Sequence, residues 1–239
     1  MESPDSKESW FLRLPPEIRL NVYERALALD EPLSLIKRDG EEEARLSRSR
    51  ITHPDTWNAL LYTNRTISAE ASEVLYSLNQ FTVSDPTLNK VDVLKRFLDR
   101  IGPVNAGRIS HLYIPFPVQR IGTNIQPDRI VVREDVLASL KACRNLATLE
   151  LGVLPHLDGL AQSSDGSIRT VNVREALTVI NGHVRAVSSV RNVLVKIYSG
   201  GVAPAVLECM KDMGWEVHLF DWRTGRRRVV RRESLSRLL

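Results

Sequence analysis

The side chains with nucleophilic or metal-ligating chemistry are few in this sequence, and they are scattered. The cysteines are Cys143 and Cys209, and the five histidines are His53, His111, His156, His183 and His218. A metal site on a helix needs two ligands about one turn apart, and no histidine here has another at i+4. Each therefore reads as a surface or core histidine. The two cysteines lie outside any nucleophile motif, in helical stretches where a cysteine serves as a small apolar packing group. No Walker loop, dinucleotide fingerprint, nucleophile elbow, zinc quartet or HExxH helix occurs. The expectation is a chain with no cofactor and no metal that binds other macromolecules rather than catalysing a reaction.

Two segments carry binding chemistry instead. In YSGGVAP at 198–204, Gly200 and Gly201 follow a strand and precede a helix whose free N–H groups could receive an anion. The same glycines equally suit a plain strand-to-helix corner that needs positive φ. In the carboxy-terminal stretch, seven arginines and one glutamate between Arg223 and Arg237 give a local +6, against +4 for the whole chain, so the remainder sums to about −2. Arg223, Arg226, Arg227, Arg228, Arg231 and Arg232 are candidates for a phosphate backbone or an acidic partner, with Trp215, Phe220 and Trp222 upstream as stacking rings. The competing reading makes Arg223-Thr224-Gly225 a hairpin turn and Val229-Val230 an edge strand whose arginines discourage aggregation. Arg231-Arg232-Glu233-Ser234 fits basic-directed kinases, which makes Ser234 a candidate phosphosite in an accessible tail.

The elements that position these groups fall into two styles. Residues 1–9 are polar and Ser-rich, and read as a disordered start. In 10–83 the pattern is helical: Pro16 suits a first helical turn, Glu17 the positive end of the dipole, and Ile18, Val22, Ala26 and Leu29 recur at helical spacing with Tyr23 and Leu27 beside them. Residues 31–56 interrupt it with Pro32, Gly40 and blocks of charge, and read as a solvated insertion. Trp57 to Leu78 outlines one or two further helices, with Ser68 as a cap. Beyond Phe81, helices at 87–101, 133–143, 172–188 and 203–213 alternate with strands at 109–114, 146–152, 192–198 and 215–220.

Such alternation predicts an α/β protein with a mostly parallel sheet and crossover helices over 84–222. LKACRNLATLELGV looks like one leucine-rich-repeat unit, but successive strands lie 37, 44 and 24 residues apart, too uneven for a regular solenoid. An open sheet or compact arc is the favoured picture, with a leucine-rich-repeat-like sheet as its competitor. Residues 223–239 form the Arg-rich tail.

Neither a signal peptide nor an apolar run of about 18 residues is present, so an intracellular protein, cytoplasmic or nuclear, with two free thiols and no membrane segment is expected.

FLRLPPEIRLNVYERAL at 11–27 and LLYTNRTISAEASEVLYSLNQF at 60–81 resemble the F-box-like domains of fungal proteins, with their LPxEIR helix, E-A-x-x-x-L-Y signature and following aromatic strand. The two segments cover about a sixth of the chain. The resemblance implies an F-box-like helical module over 10–83, with its insertion at 31–56, that docks on a Skp-type adaptor of a cullin ubiquitin ligase. Carried over by position, Leu14, Pro15, Ile18 and Val22 would make that contact, and the α/β domain would select a substrate. Alternatively, the same apolar face packs inside the protein, and the chain acts as a scaffold or through nucleic acid bound to its tail.

Overall fold

The computed structural model describes residues 9–36, 45–48, 58–83, 92–121, 129–153, 170–198, 202–220 and 227–229. Helices α1 (Pro16–Leu27), α2 (Arg65–Leu78), α3 (Asp92–Arg108), α4 (Glu134–Ser139), α5 (Thr170–Arg185) and α6 (Pro204–Asp212) alternate with most of the strands. These are β1 (Leu33–Ile36), β2 (Arg45–Arg48), β3 (Gln80–Val83), β4 (His111–Pro115), β5 (Val118–Ile121), β6 (Arg129–Val132), β7 (Thr148–Val153), β8 (Asn192–Ile197), β9 (Glu216–Phe220) and β10 (Arg227–Val229). Strands β5 and β6 form a separate antiparallel hairpin.

The other eight strands make one sheet in the order β10-β9-β8-β7-β4-β3-β1-β2. Its six central strands are all parallel and stand side by side in chain order. This is the mostly parallel α/β sheet expected from the alternation. A right-handed crossover that always steps to the next strand returns its helix to the same face, and each helix from α1 to α6 indeed touches the next. The result is an open, singly wound sheet under one layer of helices.

Strand alternation then separates the two faces. Leu33, Leu35, Phe81, Val83, Leu112, Ile114, Leu149, Leu151, Val153, Val195, Ile197 and Val217 point towards the helices and form the main core with Leu94, Phe97, Leu137, Leu177, Ile180, Val206 and Met210. Leu75 and Tyr76 of α2 belong to the same core, so strands and helix residues of 10–83 share it with those of 84–222.

Several local features depart from the sequence expectations. Residues 33–36 and 45–48 lie within the segment read as a solvated insertion, yet they pair as β1 and β2, with Leu33 and Leu35 fully buried. The short alternation Leu-Ser-Leu was hidden there by the neighbouring charge blocks. Helix α2 is capped by Asn64, whose side chain accepts from the Ile67 N–H at 3.0 Å; Ser68, the expected cap, instead donates to the Leu61 carbonyl. The helix expected to stop at 101 meets Gly102 at φ 77° followed by Pro103, and a last turn carries on to Arg108 after the kink. Glycine tolerates that left-handed backbone and proline cannot continue the hydrogen-bond ladder.

Both sheet edges are short antiparallel strands bearing arginines, Arg45 and Arg48 in β2 and Arg227 and Arg228 in β10. Charge on a short edge strand discourages edge-to-edge pairing.

Candidate functional site

The two sequence signatures meet in space. Arg19 of the first donates from Nε and Nη2 to both carboxylate oxygens of Glu70 in the second, at 2.9 and 2.6 Å. Tyr23 adds an O–H donated to Glu70 Oε2 at 2.9 Å. This two-pronged geometry is the strongest form of arginine–carboxylate contact. The hydrogen bond from Arg19 outweighs the effect of burial and holds Glu70 below the ordinary carboxylate range, while burial, reinforced by Glu70, pushes the Tyr23 phenol up to about 12.

Arg19 also donates through Nη1 to the carbonyls of Leu12 and Leu14. One guanidinium therefore ties α1 to α2 and fixes the chain entering Pro15. Beneath it, Tyr23 and Leu27 pack with Ile67, Ala71 and Val74, flanked by Phe11, Leu12, Leu60 and Leu61. Phe11 meets Tyr23 edge-on at 5.7 Å.

At the other end of the pair, Asn79 is buried. Its amide donates to the carbonyls of Leu27 and Leu75, and its oxygen accepts from the Leu29 N–H. Asn79→Ala leaves two buried carbonyls and one N–H without these bonds, and is expected to lower unfolding free energy by about 2–3 kcal/mol. Urea unfolding checks this, and a loss within experimental scatter would mean that water replaces the side chain.

With Arg19, Tyr23 and Leu27 turned towards α2, the opposite side of α1 is left outward. Ile18 is 47% and Val22 39% exposed, one turn apart, with Pro15 exposed and Leu14 half-buried at the helix start. Trp10 and Leu20 are also exposed. The structure thus brings the four candidate docking residues to one end and one side of α1. The expected apolar stripe is split: Ile18, Val22 and Ala26 face out, and Tyr23 and Leu27 supply the packing.

The tail candidates fare differently. Arg227 and Arg228 lie in β10, which pairs antiparallel with β9, as the edge-strand reading requires. Arg223, Arg226, Arg231, Arg232, Ser234, Trp222 and the Gly200-Gly201 turn lie outside the described residues. Trp215 is not available as a stacking ring: it is buried, and its indole N–H donates to Asn181 at 3.2 Å. Phe220 stacks on Tyr198 at 5.3 Å.

Comparison with family models, with curated proteins and with solved structures finds no match to this chain. What the site can do must therefore be argued from its own residues.

A second constellation escaped the sequence reading. On the sheet face away from the helix-packed residues, Gln80, His111, Glu150 and Lys196 come from four neighbouring strands. Glu150, only 5% exposed, accepts from Gln80 Nε2 at 2.9 Å and from Lys196 Nζ at 2.6 Å, and lies 3.1 Å from His111 Nε2. Burial pushes its pKa up, but the hydrogen bonds from His111 and Lys196 prevail and hold it below the ordinary carboxylate range.

Lys196 also sits 5.8 Å from the centre of the Tyr113 ring. Tyr113 leans over Gly152, and burial, with Tyr198 and Glu150 beside it, holds its phenol above the ordinary range. All donors of the cluster converge on one internal carboxylate, so it clamps strands together rather than offering a vacant anion site. The sequence signal was the lone acid in Thr-Leu-Glu-Leu-Gly-Val, a charged residue inside an otherwise apolar strand.

Among the described residues no group of three His, Cys, Asp or Glu could hold a metal ion, and no helix is long and apolar enough to cross a membrane. Both cysteines are free thiols, as expected. Burial pushes Cys143 up to about 12, which keeps it protonated near neutrality and a poor nucleophile.

Proposed function

We propose that this chain is a non-enzymatic, F-box-like interaction protein, acting in the cytoplasm or nucleus, that docks on a Skp-type adaptor through the outward side of α1. The observation that supports this reading is the division of labour on α1. Arg19, Tyr23 and Leu27 meet the needs of folding, while Ile18 and Val22 stay exposed beside Leu14 and Pro15. Burying an aliphatic side chain of this size contributes about 1.5–3 kcal/mol, so two half-exposed ones at the centre of an interface can act as anchors. In this reading the sheet and helices of 84–222 present the surface that selects a substrate.

The test is association of the purified full chain with a purified Skp-type adaptor. Micromolar or tighter binding is expected, with Ile18→Asp/Val22→Asp weakening it at least about 100-fold, or about 2.7 kcal/mol. The melting temperature of the variant should stay near that of the parent, because neither side chain contributes to the core. Absence of association, or equal binding by the variant, would remove the adaptor reading.

A further inference from the structure

Because the six central strands run one way and their helices return, helix carboxy-termini and the short helix-to-strand loops gather along the rim where the strands begin. Cations in last helical turns offset the exposed carbonyls there, which accounts for Arg108, Lys141, Arg185 and Lys211. It does not account for Arg144 and Arg191. These two stand in the loops leading to β7 and β8, both exposed, and among the described residues neither guanidinium has a hydrogen-bond or ion-pair partner.

The loops that carry them are fixed to their neighbours. The Asn145 N–H donates to the Gly107 carbonyl, Ala147 to Ser110, and Arg191 to Ala147, at 2.8–3.1 Å. Arg185 in turn donates to the Met213 carbonyl at 3.0 Å. A cationic residue therefore precedes each of four neighbouring strands, Arg108 before β4, Arg144 before β7, Arg191 before β8 and Lys211 before β9. Acids stand along this rim as well: Glu73 is bonded to Arg108, Asp212 follows Lys211, and Glu216 opens β9 and is held by His218.

We propose that this rim is a phosphate-binding ridge for the backbone of duplex nucleic acid. Guanidinium forks match phosphate oxygens in pairs, and an ordered row of them spans several phosphates. A peptide partner would need apolar anchors, yet the loops at 143–147 and 186–191 expose no large apolar side chain. They also expose no aromatic ring on which single-stranded bases would stack. Backbone contact alone reads charge and not sequence. The residues of the ridge are different from those of the Arg-rich tail and of the outward side of α1.

The experiment is fluorescence anisotropy of a labelled 20-base-pair DNA duplex of arbitrary sequence with the full chain, titrated from 50 to 200 mM salt. Binding that falls with salt is expected. Arg144→Gln/Arg191→Gln should make the log–log salt slope shallower by about 1.8, at about 0.9 for each phosphate no longer neutralised. Arg144→Glu/Arg191→Glu should weaken binding at least about tenfold at 50 mM salt, while Arg144→Lys/Arg191→Lys should keep most of the slope. A companion variant, Arg231→Gln/Arg232→Gln/Arg237→Gln, measures the tail in the same chain. The proposal is overturned by absence of duplex binding at 50 mM salt, by a change seen only in the tail variant, or by preference for a glutamate-rich peptide over the duplex. Unaltered melting of the rim variants keeps any loss of binding attributable to the ridge.

Discussion

Glu150→Ala is expected to cost the folded state about 3 kcal/mol at neutral pH, because it removes the shared partner of Gln80, His111 and Lys196. Breaking a buried ion pair by deleting one member costs about 3–5 kcal/mol when the survivor stays desolvated. Lys196 and His111 keep side-chain exposures of 21% and 33%, so water recovers part of that penalty and the lower end applies. The same carboxylate makes stability depend on acid. Its pKa in the fold is depressed, so its contribution is complete above the unfolded-state value of about 4.5 and is lost as pH falls through the folded value. Urea unfolding of the parent protein should therefore weaken below about pH 4.5. The Glu150→Gln protein, less stable at pH 7, should converge on the parent over that interval. Parallel pH profiles for the two would show that Glu150 is not the group responsible.

How much of this was legible in the sequence depended on how far apart the partners lie. Local periodicity marked α1, α2 and the strand–helix alternation after Phe81, because each needs only its own residues and one buried face. It missed β1, whose four residues are too few for a period to stand clear of flanking charge. The resemblance implied one module for 11–27 and 60–81, but the contact that joins them, Arg19 with Glu70, crosses 51 positions. Sequence spacing could suggest only nearer partners for Glu70, such as Arg65 on its own helix. The Glu150 cluster is less legible still. Gln80 and Glu150 are 70 positions apart, and which strand lies beside which is decided by the crossovers, not by either residue. The outward side of α1 was visible as apolar residues at helical spacing. Whether that side faced the core depended on Arg19, Tyr23 and Leu27 taking the inward side, which is a tertiary fact.

Gly152→Ala should be among the most damaging small substitutions in this protein, although it adds a single methyl group. A Cβ built at Gly152 would lie 1.8 Å from the Tyr113 hydroxyl oxygen, 2.4 Å from Cζ and 2.9 Å from Cε2. Van der Waals contact begins about an ångström or more farther out for the first two atoms and at least about half an ångström for the third, so the whole end of the ring must move. Moving it takes the ring away from Lys196, which is also held by Glu150. Overpacking of this kind costs about 1–3 kcal/mol, and the lost contact puts the expected loss near the upper end. Strand propensity argues the other way, since alanine restricts the unfolded chain more than glycine does; that gain, below about 1 kcal/mol, is smaller than the clash. The cause can be isolated with Tyr113→Ala. Alone, this change removes the ring and should destabilise the protein; in the Gly152→Ala background it should cost at least about 1 kcal/mol less, because the clash goes with the ring. Additive losses in that double-mutant cycle would mean that the ring and the added methyl do not meet, and the packing of Tyr113 over Gly152 would have to be abandoned.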